Sequence, residues 1–152
     1  MKRILVLGIG NRLMRDDGIG VYVVETLQKE DQFGDVQYLV GETDIDYCLR
    51  VLEDVDRLII VDAVKSDREV GEVSCHPIEE IASFHLGISI HELHLFSIIP
   101  VMYPLLHVTV IGIDVESVDF GLGLSQALEL QFSRVVHDVR RMVYILSNEQ
   151  NK

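Results

Sequence analysis

Short unbroken runs of large aliphatic residues alternate along the chain with longer segments in which apolar residues recur every three or four positions. Unbroken runs are typical of buried strands, and the three-to-four spacing is typical of amphipathic helices. A weaker alternation over residues 71–76 predicts an edge strand. The runs that predict the other strands are residues 4–7, 36–40, 58–61 and 107–113.

The first two helices are predicted between these strands. Aliphatic residues recur at helical spacing over residues 18–29, and Asp16 and Asp17 occupy cap or first-turn positions just before them. Asp44 is placed to cap a second helix, whose apolar positions follow at Tyr47 and beyond. Both helices would cross from the end of one strand to the start of the next.

The second half of the chain predicts two more helical stretches. One should begin at Ser89 or Ser97 and be interrupted near Pro100, and the other should occupy residues 125–146. Strands that alternate with helices favour an α/β fold with a mainly parallel twisted sheet and right-handed crossovers. We therefore predict a single domain over residues 1–152, a three-layer sandwich in which helices flank the sheet.

Composition narrows the class of protein. The 152 residues include 13 basic and 25 acidic side chains, and the formal net charge of −12 argues against a nucleic-acid partner. No apolar run reaches the roughly 18 residues of a membrane span, and the first residues lack a signal-peptide pattern, so we expect a cytoplasmic protein. Cys48 and Cys75 form no CxxC motif and are expected to be buried thiols rather than a disulfide or zinc site.

Polar residues follow most of the predicted strands. Ligands of open α/β sheets bind beyond the carboxyl ends of the strands, near the point where the strand order reverses. The side chains expected at that edge are Asn11, Asp16, Asp17, Glu42, Thr43, Asp62, Asp114 and Glu116.

A glycine pair after the first strand raises the possibility of a nucleotide site. Gly8 and Gly10 match the start of a G-x-G-x-x-G motif, but the third glycine would fall at Leu13. Asp16 and Asp17 would also repel a pyrophosphate from the start of the following helix. We therefore expect no nucleotide cofactor.

Asp17 and Asp62 are the acids with the clearest functional interpretation. Either could simply cap a helix or a loop. However, Asp62 directly follows four large aliphatic residues, and the first and third strands often flank the switch point of such a sheet. The two carboxylates could then approach each other, and their repulsion would favour a cation or a shared proton between them.

The histidines near residue 90 offer a third candidate group. His91 and His94 form H-E-x-H, which is one residue shorter than the H-E-x-x-H of zinc proteases. His91 together with two carboxylates would suit nickel, zinc or iron, while His94 is open between a supporting and a core role. Because the chain carries no G-x-S-x-G motif and no recognisable nucleophilic cysteine, any hydrolysis would use water.

With these residues identified, nearly the whole chain resembles the hydrogenase maturation endopeptidases. This family trims the carboxyl-terminal extension from the large-subunit precursor of nickel-iron hydrogenases. Residues 4–20, ILVLGIGNRLMRDDGIG, look like the family's amino-terminal signature, and residues 58–64 and 89–93 resemble its second and third signatures. Residues 110–113, followed by Glu116, also look like its last strand and turn.

The resemblance implies residue roles. The family's metal-binding positions fall on Asp17, Asp62 and His91, which would ligate a nickel ion carried by the substrate rather than a resident cofactor. Catalysis of the aspartyl type would let Asp17 or Asp62 deprotonate water, or the ion could polarise the water or the scissile carbonyl. Two departures stand out, since Glu42 replaces a usual glycine and Ile90 a usual proline.

Two functions from different classes follow from these patterns. The first is an endopeptidase that acts on the hydrogenase large-subunit precursor after nickel insertion. The alternative is a non-catalytic, nickel-binding or chaperone-like module that docks on the same precursor without cutting it. Cleavage of the precursor, measured as a loss of mass, separates the two.

Overall fold

A computed structural model describes residues 2–31, 34–84 and 90–149 of the chain. Its strands form one five-stranded sheet in the order β2-β1-β3-β5-β4, in which only β4 runs antiparallel, against β5. The strands are β1 (Ile4–Ile9), β2 (Val36–Glu42), β3 (Arg57–Val64), β4 (Val73–Pro77) and β5 (His107–Asp114). The helices are α1 (Ile19–Glu30), α2 (Ile45–Arg50), α3 (Ile78–Phe84), α4 (Ile90–Met102), α5 (Gln126–Glu129) and α6 (Phe132–Ser147).

Helices cover both faces of the sheet, so the predicted three-layer α/β fold is confirmed. Alternate residues of a strand point to opposite faces, and in β3 Ile59 packs with α1 and α6 while Ile60 packs with α2, α3 and α4. Every residue of β1 and β3 is buried, which explains their unbroken aliphatic runs. No helix in the parts of the chain described above is long and apolar enough to cross a membrane.

Several boundaries differ from the sequence-based predictions. β3 does not stop at Asp62 but continues to Val64, because pairing with β5 extends to the end of both strands. Pro100 lies inside α4 without interrupting it, and Ser97 is a mid-helix residue whose hydroxyl donates to the carbonyl of Leu93. Ser89, the other predicted start of this helix, lies outside the described residues.

The carboxyl-terminal region also departs from the prediction. The single helix expected over residues 125–146 is divided into α5 and α6, and the side-chain amide of Gln131 at the break donates to the distant carbonyl of Val70. Helix α3 was not anticipated from the sequence. Cys48 is buried as expected, but the expectation is wrong for Cys75, which is exposed on the edge strand.

The topology directs attention to the carboxyl ends of β1 and β3. The chain leaves β1 toward β2 on one side, and β3 lies on the other, so the strand order reverses between β1 and β3. Two glycines allow close packing there. A side chain on Gly10 (φ +137°) would place its Cβ 2.0 Å from the carbonyl oxygen of Asp17, and one on Gly20 would place it 2.2 Å from the carbonyl oxygen of Val61.

Candidate active site

Asp17 lies in a single turn of 3₁₀ helix, Arg15–Gly18, between β1 and α1. Its Oδ2 accepts a hydrogen bond from the backbone N–H of Asn11 at 2.8 Å. Burial raises the pKa of the carboxyl, and the hydrogen bond from Asn11 offsets part of that shift. The side chain is therefore held at the end of β1 with one oxygen fixed by the backbone.

Asp16, its neighbour in sequence, has a different task. It is fully buried, and its Oδ1 accepts from the N–H of Ser125, while its Oδ2 accepts from the N–H groups of Glu116 and Ser117 and from the hydroxyl of Ser125. Neither Asp16 nor Asp17 caps α1, whose N-cap residue is Gly18. The helix-cap interpretation of this acidic pair is thus wrong, and Asp16 instead fastens the loop that follows β5.

Asp62 lies on β3 and is fully buried. Its Oδ1 accepts from the N–H of Ala63 at 2.8 Å, whereas no amide or hydroxyl of the described residues donates to its buried Oδ2. Burial raises the pKa of Asp62 well above its usual range, and the charge and hydrogen bond of the Glu92 carboxyl and the charge of Asp17 raise it further. The structure therefore brings Asp17 and Asp62 into one electrostatic group.

Glu92 is the member of this group that sequence reasoning missed. It lies in the first turn of α4, is only 5% exposed, and is the carboxyl that acts most strongly on Asp62. The sequence held one usable signal, because Glu92 is the single acid in the otherwise mostly apolar stretch IHELHLFSIIPVM. An acid embedded in an apolar helix is buried unless the helix exposes that position, so it needed an explanation.

His91 also belongs to the first turn of α4, as predicted, but its side chain lies outside the described part of the structure. Its role as a metal ligand therefore stays a prediction. His94 is exposed one turn later, which excludes the core role left open for it. Among the described side chains, no group of three or more histidines, cysteines, aspartates or glutamates is arranged to hold a metal ion.

Glu42 stands at the rim of the same edge with unusual backbone geometry. Its φ of 51° lies in the left-handed region that favours glycine, which gives a physical reason for the glycine expected there in the family. The side chain bonds Arg12 at 2.6 Å, and Arg12 also bonds Glu25 at 2.8 Å. Glu42 and Glu92 line opposite ends of a small, mostly apolar pocket formed with Ile9, Thr43, Ile45, Cys48 and Leu95.

The other polar residues after the strands have structural or solvent-exposed positions. Asp114 is buried, and its Oδ1 accepts from both the N–H and the hydroxyl of Ser66 at 2.8 and 2.7 Å. Glu116 and Thr43 have exposed side chains. Of the acids expected at this edge, the structure therefore gathers Asp17 and Asp62, adds Glu92, and assigns Asp16 and Asp114 to loop anchoring.

Comparisons with known proteins agree with this site and fold. A family model described as hydrogenase maturation protease matches residues 21–142. The hydrogenase 2 maturation protease of Escherichia coli (strain K12) is 33% identical over 145 residues, which cover 90% of this chain and 88% of that protein. The structure of the hydrogenase maturating endopeptidase HybD from E. coli superposes with a TM-score of 0.75 at 30% identity, covering 93% of this chain and 92% of that one. The [NiFe] hydrogenase maturation protease HybD from Thermococcus kodakarensis gives a TM-score of 0.74 at 26% identity, with 92% and 98% coverage.

Proposed function

The chain belongs to the hydrogenase maturation protease family, whose members process the C-terminal end of the hydrogenase large subunit, and on that premise we propose that it recognises its precursor through nickel. The resemblance noted in the sequence is thereby confirmed, and the relatives are peptidases rather than non-catalytic modules. The nickel would arrive already placed in the substrate. It would mark a precursor that is ready to be cut.

The observation that carries this proposal is the buried Oδ2 of Asp62. It has no amide or hydroxyl donor among the described residues, and the carboxyls of Glu92 and Asp17 both act on it. Burying a carboxylate without compensation is costly, so such a group is retained where a proton or a cation completes it. The first turn of α4 brings His91 to the same sequence neighbourhood as Glu92, and imidazole with carboxylate is a donor set that suits nickel.

The roles of the residues follow from their environments. Asp17, Asp62 and His91 would hold the substrate's nickel, which supplies a positive charge that positions the tail and can polarise a carbonyl or water. Asp17 and Asp62 are also the candidates for the general base, since burial raises both pKa values above that of an ordinary aspartate. A carboxylate of raised pKa is a stronger base toward the attacking water than a free one. This corresponds to an aspartyl type of protease.

Mass spectrometry of two precursor samples tests the proposal. The purified protein is incubated with nickel-loaded and with nickel-free large-subunit precursor, and we expect a shortened product only from the loaded sample. Glu116→Gln serves as the matched control for Asp62→Asn, because Glu116 is an exposed acid at the same edge. Unchanged masses in both samples would refute processing of that precursor, and equal cleavage in both would refute recognition through nickel.

The compartment proposed for this step is the cytoplasm. Both cysteines are free, and Cys75 is exposed on the edge strand. Exposed thiols persist in reducing compartments and are readily oxidised in secreted proteins. Labelling of Cys75 with a thiol reagent in intact cells and in lysates would test this placement, since an oxidised Cys75 in freshly quenched cells contradicts it.

A further inference from the structure

Three large apolar side chains project into solvent beside the site. Leu13, Phe120 and Leu122 are 51%, 79% and 73% exposed, and together we name them the apolar patch. Large apolar groups that cluster in solvent mark interaction sites more often than isolated ones do. Their location in the fold therefore matters more than their number.

Two loops at the carboxyl edge of the sheet bring the apolar patch together. The backbone N–H of Gly121 donates to the carbonyl of Leu13 at 2.7 Å, and the N–H of Arg15 donates to the carbonyl of Gly121 at 2.9 Å. These bonds form an isolated parallel bridge between Met14 and Gly121. Phe120 and Leu122 flank Gly121, so the bridge sets them against the segment that contains Leu13.

The apolar patch is also fixed relative to Asp17. The carboxylate of Asp16 binds the loop after β5 at Glu116 and Ser117 and again at Ser125, so it holds both ends of the segment that contains Phe120 and Leu122. Asp17 follows Asp16 directly in the chain. The loops are thus ordered before any partner arrives, which lowers the entropic cost of binding there.

We propose that the apolar patch docks the protease on the folded body of the hydrogenase large-subunit precursor, outside the tail that is cut. The inference rests on the proposed function, since only a protein substrate that reaches Asp17 and Asp62 also covers the neighbouring loops. A precursor is a folded protein, and its contact must extend beyond the few tail residues that enter the site. An aromatic and two leucine side chains on a preordered loop pair are suitable anchors for that contact.

The chain provides a matched control far from this contact. Leu105 is 97% exposed and precedes β5, so it lies at the opposite, amino-terminal edge of the sheet. It has the same chemistry as two members of the apolar patch. A partner bound across the carboxyl edge does not reach it, and Leu105→Ser should therefore leave binding unchanged.

The test measures the dissociation constant of full-length, nickel-loaded precursor by titration calorimetry. Every protein carries Asp62→Asn, which prevents cleavage during the measurement. Replacing Leu13, Phe120 and Leu122 together by serine should weaken binding by about a hundredfold or more, and Phe120→Ala alone by about tenfold. Leu105→Ser should change the constant less than about twofold, and thermal unfolding midpoints should stay close to that of the parent because all four side chains are exposed.

The outcomes separate this inference from the proposed function. Loss of binding in the triple variant supports docking, whether or not the protein without these substitutions cleaves the precursor in the mass-spectrometric assay. Unchanged binding in the triple variant, or no measurable binding by the parent, overturns it. Self-association that is detected by sedimentation and abolished by the triple variant, with precursor binding unchanged, would show that a second copy of the chain occupies the patch and would also overturn the proposal.

Discussion

Asp16 and Asp62 are equally buried carboxylates at one edge of one sheet, yet their surroundings are opposite. Asp16 accepts four hydrogen bonds from the loop after β5. Asp62 accepts one from Ala63 and otherwise meets the carboxyls of Glu92 and Asp17. Burial alone therefore does not identify a functional acid. The supply of donors does, because a satisfied carboxylate stabilises a loop and an unsatisfied one waits for a proton or a cation.

The largest expected effect is on activity, from Asp62→Asn. The amide is nearly isosteric but carries no charge and cannot act as a base, so cleavage of the nickel-loaded precursor should fall by about a thousandfold or more. The folded protein should not lose stability, because the amide nitrogen can donate to Glu92 where two carboxyls met before. Initial rates by mass spectrometry and a urea unfolding curve measure both quantities.

The Glu116→Gln variant is the control for this substitution, and its rate should stay within about twofold of the parent because Glu116 is exposed. An active Asp62→Asn protein would remove Asp62 from the site. A folded but markedly destabilised one would show that Asp62, like Asp16, stabilises the fold, and the contrast between the two acids would disappear.

The same chemical change at Asp16 should act on stability instead. In Asp16→Asn, the amide group of the new side chain must face N–H donors that the carboxylate oxygens accept from, at Glu116, Ser117 and Ser125. Leaving such buried donors unmatched should lower the free energy of unfolding by about 3 kcal/mol. Urea denaturation of both asparagine variants beside the parent would reveal the opposite signs, and an Asp16→Asn protein as stable as the parent contradicts the anchoring role.

The pH dependence of stability distinguishes donor supply from burial. Because the pKa of Asp62 is raised above the value of 3.8 expected in the unfolded chain, the folded protein keeps a proton that the unfolded chain has already released. The parent's free energy of unfolding should therefore fall as the pH rises from about 4 through the folded-state pKa. Asp62→Asn lacks this loss, so its stability relative to the parent should increase over the same interval and then level off. A constant difference between the two proteins, measured in buffered urea series, would contradict the raised pKa.

The smallest effect concerns Glu42, a third acid at the same edge whose cost lies in the backbone. Glu42→Gly relieves the positive φ and Glu42→Ala keeps it, while both lose the partly exposed ion pair with Arg12. The glycine variant should therefore be more stable than the alanine variant by about 1 kcal/mol. Asp54, with a φ of 64°, offers a matched pair of substitutions away from the strand ends of the site. Equal stability of the two Glu42 variants would show that the backbone is not strained there.

The sequence predicted the parts of the site that follow directly from strand patterning. A parallel strand buried on both faces reads as an unbroken aliphatic run, so the end of such a run marks where a side chain such as Asp62 leaves the core. Pro100 misled because a proline within a helix costs a hydrogen bond that tertiary packing of α4 can offset. The division between α5 and α6 depends on a contact between Gln131 and Val70, which lie 61 residues apart, and no local pattern reports it.

By itself, the sequence determined the α/β class, the family and the residues available at the carboxyl edge, because periodicity and short motifs are local properties of the chain. Only the tertiary structure decided which acids are satisfied. Asp16 and Asp17 are adjacent and chemically identical, and they differ because residues about a hundred positions away donate to one and not to the other. Glu92 likewise became part of the site only when α4 packed over β3. Hydrogen bonding and desolvation depend on distances in space, which strand patterns and residue types do not encode.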